Sequence, residues 1–155
     1  EIGVMVEVPS ASVIADMLAA ECDFLTIGTN DLTQYALAVD RGNENIAYLY
    51  RNMNPAVIRM IHDTINLGHG QGVWVGMCGE MAGDPLATML LLGLGLDEFS
   101  VSPIVLPVIK EIIRRVEFNE TERLAVKTLE LRTTQEVEEY IHSIMKAKFK
   151  DLPLW

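Results

Sequence analysis

The chain has 155 residues and a mass of 17.2 kDa, which suits one ordinary domain better than two. Twelve Lys and Arg against 22 Asp and Glu give a formal net charge of −10. A surface this acidic repels nucleic-acid phosphates, so we expect no nucleic-acid partner. Hydrophobic residues make up 50% of the chain, which supports a folded core and is untypical of a disordered protein.

The cysteine content and the apolar runs limit where the protein can work. Cys22 and Cys78 are too few for a disulfide framework and indicate a reducing, cytoplasmic compartment. The most apolar stretch, residues 87–96, is interrupted by two glycines and is too short for a membrane span. We recognise no signal peptide. Because the chain begins with Glu1 and runs directly into an apolar segment, we expect it to be a piece of a longer protein.

Short apolar runs alternate with longer amphipathic segments along the first 116 residues. The runs at residues 3–8, 23–28, 73–78 and 98–101 predict strands, because they are continuously apolar or β-branched. The segments 11–20, 30–39, 55–68, 85–92 and 103–116 predict helices, the first with Ser10 as its N-cap. Residues 120–131 and 134–150 predict two further amphipathic helices, the second with a capped start at Thr134.

This order predicts an α/β fold of four βα units in series, with parallel strands and right-handed crossovers. We find neither a repeat nor a linker, so we expect a single domain over residues 1–155. Its βα units occupy residues 1–116, and a helical tail occupies residues 117–155. Parallel sheets buried by helices need the continuous apolar strands seen here. Their functional sites lie at the carboxyl ends of the strands.

Two carboxylates fall at such strand ends. Glu7 interrupts a run that is otherwise Val and Met, and Asp31 follows the second strand. Glu7 could simply point into solvent, and Asn30 or Asp31 could serve only as a helix cap. Neighbouring parallel strands, however, bring their carboxyl ends together. Two carboxylates there would suit Mg²⁺, which accepts few protein ligands and takes water and substrate phosphate oxygens.

Three further features lie at the same predicted edge. The segment Gly28-Thr29-Asn30 begins a helix, where free backbone N–H groups favour phosphate or carboxylate. Arg41, in the following polar loop, suits phosphate, although it could be a solvated loop charge. Cys78 ends the third strand before a glycine. Its thiol could act as an acid, base or nucleophile, or could only fill space.

Four segments occur in the order MVEVP, IGTNDLTQYALAVDRGN, GMCGEMAGDP and LLLGLGLDEFSVS. Together they resemble the C-terminal part of the enzyme I family of the phosphoenolpyruvate:sugar phosphotransferase system. Its wider family includes pyruvate phosphate dikinase and phosphoenolpyruvate synthase. The resemblance is strong over residues 2–116 and weak over the helical tail. Four ordered motifs are far more specific than any single motif.

The resemblance implies a (β/α)₈ barrel of the TIM type, of which this chain supplies about the last four βα units plus the C-terminal helices. It also implies a site for phosphoenolpyruvate, with pyruvate as product. Glu7 and Asp31 match the family positions that hold the bridging Mg²⁺. Asn30 matches a substrate contact, and Arg41 matches a phosphate-binding residue. Cys78 matches the residue that protonates the enolate to give pyruvate.

The remaining implications concern partners. Gly28 and Thr29 match a region of backbone contact with the substrate. The phosphoryl group would pass to a histidine of another domain and then to a small phosphocarrier protein, at the start of the sugar phosphotransferase chain. His62, His69 and His142 do not match the phosphoacceptor motif, so we expect the isolated chain to be inactive. The family's C-terminal domain dimerises, so we also expect a homodimer.

Other interpretations remain open. The chain could be an assembly module with residual metal binding, or could belong to a kinase or synthase of the dikinase type. An unrelated Mg²⁺ barrel lyase acting on a pyruvate enolate would need only Glu7 and Asp31. A half-barrel leaves two open edge strands with apolar faces. We expect either that two copies pair across them or that the helical tail covers the gap.

Overall fold

Four apolar segments form one parallel sheet in the order β1-β2-β3-β4, as the alternating pattern predicts. The computed structural model describes residues 1–152, so residues 153–155 of the predicted tail lie outside the described part of the chain. The strands are β1 (Gly3–Val6), β2 (Phe24–Gly28), β3 (Trp74–Cys78) and β4 (Glu98–Phe99). The expectation of an α/β fold with parallel strands is confirmed.

Helices connect and follow these strands. They are α1 (Pro9–Val13), α2 (Ala15–Ala19), α3 (Thr29–Leu37), α4 (Pro55–Gly70), α5 (Pro85–Gly93), α6 (Leu106–Arg115), α7 (Phe118–Glu130) and α8 (Thr134–Lys148). Single 3₁₀ turns lie at Ala47–Leu49 and Met81–Gly83. None of the described helices is both long and apolar enough to cross a lipid bilayer.

The first helical segment differs from the prediction. The single helix expected over residues 11–20 is wrong, because the chain breaks at Ile14, where φ is −110° and ψ is 27°. Ile14 and its neighbour Val13 are β-branched and exposed, and such residues support a helix weakly. Ser10 is not the N-cap. The helix begins at Pro9, whose fixed φ suits a first helical position, after Val8 as N-cap.

The last helix has the capped start that its sequence predicts, shifted by one residue. The N-cap is Thr133, not Thr134. The Glu136 N–H donates to Thr133 Oγ1 over 3.2 Å, and the Thr133 N–H donates to Glu136 Oε2 over 3.2 Å. This reciprocal pair satisfies two N–H groups that the helix itself leaves free.

Within residues 1–152, helices cover only one face of the sheet. Alternate strand residues on that face are fully buried: Val6, Leu25, Ile27, Val75 and Met77. The opposite face carries Met5, which is 46% exposed, and a stacked pair of rings, Phe24 and Trp74, with centroids 4.4 Å apart. The sheet is therefore a layer with a helical side and an open side.

The helical tail packs on the covered side of the molecule. Its closest packing is against α5, where a Cβ atom on Gly93 would overlap the carbonyl oxygen of Thr121 in α7. Lys148 in α8 pairs with Glu120 in α7 over 2.7 Å. Because the tail lies on α5 while Met5 on the open face stays exposed, the expectation that the tail covers the gap is wrong.

Candidate active site

The carboxyl ends of three strands bring the predicted residues to one edge of the sheet. Gly28 and Cys78 are the last residues of β2 and β3 and lie directly opposite each other in the register. Strand β1 ends at Val6, one residue before Glu7. Helix α3 starts immediately after Gly28, so its first turn, which includes Asp31, begins at this edge.

Gly28 makes room for the Glu7 carboxylate. A Cβ atom on Gly28 would lie 2.8 Å from Glu7 Oε2 and 2.9 Å from Glu7 Cβ, both closer than real Cβ contacts allow. The Glu7 side chain therefore lies across the end of β2 and is only half-buried. The alternative that Glu7 simply points away into solvent does not describe this arrangement.

Asp31 and Arg41 form an ion pair beside this carboxylate. Asp31 Oδ1 lies 3.4 Å from Arg41 Nη2, and the two side chains are 38% and 42% exposed. No side chain caps α3, so the alternative of a helix cap does not apply to Asn30 or Asp31. The Arg41 N–H donates to Gln34 Oε1 over 3.2 Å, which ties the Arg41 loop to α3. Exposed pairs of this kind are weak, so Arg41 can exchange Asp31 for another anion at little cost.

Thr29 and Asn30 join α3 to the loop after β3. The Thr29 hydroxyl donates to the Cys78 carbonyl oxygen over 3.0 Å, and the Glu80 N–H donates to Asn30 Oδ1 over 2.9 Å. Gly79, which lies between Cys78 and Glu80, has φ of +96°, and a Cβ atom there would lie 2.9 Å from Asn30 Oδ1. A glycine is therefore required for this close approach of the loop to α3.

The Cys78 thiol is surrounded by groups that oppose its ionisation. Burial raises the pKa of Cys78, the Glu7 carboxylate raises it further, and Asp31 adds a smaller increase. A hydrogen bond to its own backbone lowers the pKa in part. Both carboxylates thus act on the same thiol, which stays protonated at neutral pH.

Tyr50 was not among the predicted site residues, but the structure places it beside them. The Tyr50 hydroxyl donates to the Asn30 carbonyl oxygen over 3.0 Å. Tyr48, two positions earlier, is 70% exposed and faces away. Both tyrosines lie in one irregular segment after α3, and nothing in their spacing indicates which of them turns inward.

The carboxylates of the site do not form a complete protein cage for a metal. Within residues 1–152, no group of three or more His, Cys, Asp or Glu side chains is arranged to hold a metal ion. His69 lies at the other end of β3, where its Nε2 is 2.7 Å from Asp97 Oδ2. That oxygen also accepts a hydrogen bond from the Val75 N–H over 2.8 Å. His69 therefore lies near the amino ends of the strands, away from the candidate site.

A family model and several known proteins match this chain. The family model of the PEP-utilising enzyme, PEP-binding domain, matches residues 1–118. The phosphoenolpyruvate-protein phosphotransferase of Buchnera aphidicola from Acyrthosiphon pisum is 56% identical over 137 residues, which are 88% of this chain and 24% of that protein.

Two other relatives with the same name are similar. The protein of Haemophilus influenzae is 54% identical over 145 residues, 94% of this chain and 25% of its own length. The protein of Bacillus subtilis is 49% identical over 146 residues, 94% of this chain and 26% of its own length. The chain thus spans about a quarter of the length of these relatives. The resemblance drawn from the four motifs is confirmed: the chain belongs to the family of PEP-utilising enzymes, and its residues 1–118 match the PEP-binding domain.

Proposed function

We propose that this chain supplies part of the site at which phosphoenolpyruvate gives up its phosphoryl group to a histidine of another domain, leaving pyruvate. The observation that carries the proposal is the meeting of Glu7, Asp31 and Cys78 at one strand edge, with Arg41 paired to Asp31. The names of the relatives support the same reaction for the protein to which such a domain belongs.

Glu7 and Asp31 are the residues that would hold Mg²⁺. Two carboxylates without a third protein ligand fit this ion, which keeps open positions for water and for phosphate oxygens. Once bound, the ion would neutralise phosphate charge and polarise the enol oxygen. Glu7 lies across Gly28, which places its carboxylate at the carboxyl end of β2.

Arg41 and Asn30 would orient the substrate. The Arg41 guanidinium can form two parallel hydrogen bonds to a phosphate, and the pair that it now makes with Asp31 is exposed and weak. Gly28 and Thr29, at the start of α3, would contact the substrate through backbone N–H groups. Holding the phosphate in line with its acceptor accounts for most of the catalysis in phosphoryl transfer.

Cys78 would complete the reaction as a general acid. When the bond between phosphorus and the enol oxygen breaks, the enolate of pyruvate remains. The thiol proton passes from Cys78 Sγ to the methylene carbon, a C–H bond forms, and the resulting thiolate takes a proton from water. The raised pKa of Cys78 suits this role, because the thiol must hold its proton until the enolate forms.

The open face of the sheet supports a further part of the proposal. Four parallel strands with helices on one face match half of a (β/α)₈ barrel, and the partly exposed Phe24, Trp74 and Met5 would become its interior. The matched quarter of the longer relatives would not include the other strands of the barrel. It would also not include the phosphoacceptor histidine domain or the docking site for a small phosphocarrier protein. A homodimer, a cytoplasmic location and a role in sugar transport remain predictions.

One alternative is favoured by a specific observation. Ile2 and Met5 at the β1 edge are 77% and 46% exposed, which suits a module whose role in isolation is assembly, with residual metal binding. A dikinase or synthase of the same wider family would use the same site residues, but the names of the relatives favour the protein phosphotransferase.

Calorimetric titration of the chain with Mg²⁺ and then phosphoenolpyruvate tests the proposal. We expect Mg²⁺-dependent binding, weakened by at least about tenfold in Asp31→Asn because a charged ligand to the ion is lost. Asp63→Asn, at an exposed aspartate on α4, is the matched control and should bind like the wild type. If millimolar ligand does not bind, the isolated chain has no preformed site and the assembly role is favoured.

A further inference from the structure

Tyr50 fastens the segment that carries Arg41 to the start of α3. Its hydroxyl donates to the carbonyl oxygen of Asn30 over 3.0 Å, and Asn30 directly precedes Asp31. At the other end of this segment, the Arg41 N–H donates to Gln34 Oε1 over 3.2 Å. The loop is therefore attached to both the first and the second turn of one short helix, with Tyr50 as its second attachment.

The Arg41 side chain lies near the same hydroxyl. The guanidinium lowers the pKa of Tyr50, whereas burial and the Glu80 carboxylate raise it more, so the phenol remains neutral at ordinary pH. Arg41 is held from its other side by Asp31, 3.4 Å away. The phenol thus donates to the backbone before Asp31 and lies near the cation that is paired with this carboxylate.

A buried polar group lies beside this contact. Thr33 is fully buried, and its Oγ1 lies close enough to Tyr50 to lower the pKa of the phenol. Thr33 Oγ1 has no hydrogen-bond partner in the described part of the chain. Leaving a buried hydroxyl unpaired is costly, so this group favours a polar neighbour such as the Tyr50 phenol.

We infer that Tyr50 is a positioning residue for Arg41, holding the guanidinium at the edge of the site while leaving its charge free for a phosphate. A phenol oxygen can hold a guanidinium without cancelling its charge, whereas the Asp31 carboxylate cancels it. When Asp31 turns to another ligand, Tyr50 keeps Arg41 from moving into solvent, which reduces the ordering cost of binding. The role of Arg41 as a phosphate ligand rests on the proposed function above.

The test has two readouts. The first is the hydrogen exchange of the Arg41 side chain without ligand, and the second is the affinity for phosphoenolpyruvate. In ¹⁵N-labelled chain without ligand, the Arg41 Nε–Hε signal, assigned by its loss in Arg41→Ala, should exchange slowly with water. In Tyr50→Phe the exchange should be several-fold faster. Tyr48→Phe, at the exposed tyrosine of the same segment, should leave the signal unchanged. Circular dichroism establishes that each variant is folded.

The second readout is phosphoenolpyruvate affinity at saturating Mg²⁺. Tyr50→Phe should raise the dissociation constant by about tenfold. In the Arg41→Ala background the same change should have almost no further effect, because Tyr50 acts through Arg41. An equal loss in both backgrounds would mean that Tyr50 only stabilises the fold, and the inference would be wrong.

The outcomes separate this inference from the proposed function. If the wild-type chain does not bind phosphoenolpyruvate, the proposed function of the isolated chain fails, and the Arg41 exchange rates alone decide the role of Tyr50. Unchanged Arg41 exchange in folded Tyr50→Phe overturns the inference whether or not the ligand binds. Faster exchange supports it.

Discussion

At the scale of single residues, the site is defined by the environment of Cys78. Reactive cysteines usually have a lowered pKa, because the thiolate is the nucleophile. Cys78 has the opposite environment, since burial and two carboxylates raise its pKa. Such a thiol is a poor nucleophile and a suitable proton donor, so its environment favours the acid among the roles that its position at a strand end leaves open.

This environment predicts the effect of removing one carboxylate. In a Cys22→Ser background, Glu7→Gln should shift the titration of Cys78 to lower pH, because the neutral amide no longer opposes the thiolate. The ultraviolet absorbance of the thiolate as a function of pH measures the shift. Glu44→Gln, at an exposed glutamate in the Arg41 loop, should leave the titration unchanged. A titration of Glu7→Gln that matches the wild type would contradict the arrangement of Glu7 beside Cys78.

At the scale of secondary structure, glycines set how closely elements approach. Gly28 and Gly79 serve the site, whereas Gly93 serves the packing of α5 against α7. A Cβ atom on Gly93 would overlap the Thr121 carbonyl oxygen, which is backbone and cannot rotate away. The helical tail is therefore held against the βα units by close backbone contact as well as by apolar side chains.

Gly93→Ala should destabilise the chain by about 2–3 kcal/mol, because the added methyl group forces α5 and α7 apart. Gly70→Ala is the matched control. Gly70 is also in a helix, but a Cβ atom there would meet nothing within 4 Å, so a neutral or slightly stabilising effect is expected. Urea denaturation of both variants measures the difference in the free energy of unfolding. Equal stabilities of the two variants would show that α5 and α7 are less closely packed.

At the scale of the whole molecule, the open face of the sheet dominates. One face is covered by helices, while β1 presents unpaired backbone groups and exposed apolar side chains. Edge strands of this kind promote association unless charge or proline protects them. The isolated chain is therefore expected to self-associate through this edge, in agreement with the proposed dimer.

A charge placed on the open face should prevent this association. Met5→Lys is expected to shift the chain towards monomer in sedimentation equilibrium, because the ammonium of a lysine in β1 would lose contact with water when a second copy pairs with this edge. Val126→Lys, at a 62% exposed position on α7, should leave the association of the wild type unchanged. If the wild type is itself monomeric, or if only Val126→Lys dissociates it, association does not use the β1 edge.

The sequence by itself determined the four βα units, the parallel sheet and the family. Continuous apolar runs and ordered motifs are local properties, and they can be read without coordinates. Glu7, Asp31 and Cys78 could be chosen as candidates because each is a polar or reactive group at the end of an apolar strand. Their roles as metal ligands and proton donor remain predictions.

The tertiary structure decided which residues of distant segments come into contact. It placed Glu7 across Gly28, paired Asp31 with Arg41, and turned Tyr50 rather than Tyr48 towards Asn30. It also placed the helical tail on α5 and left one face of the sheet open. Local patterns indicate which residues prefer burial. The contacts between buried or polar groups, however, depend on the packing of segments that are tens of residues apart.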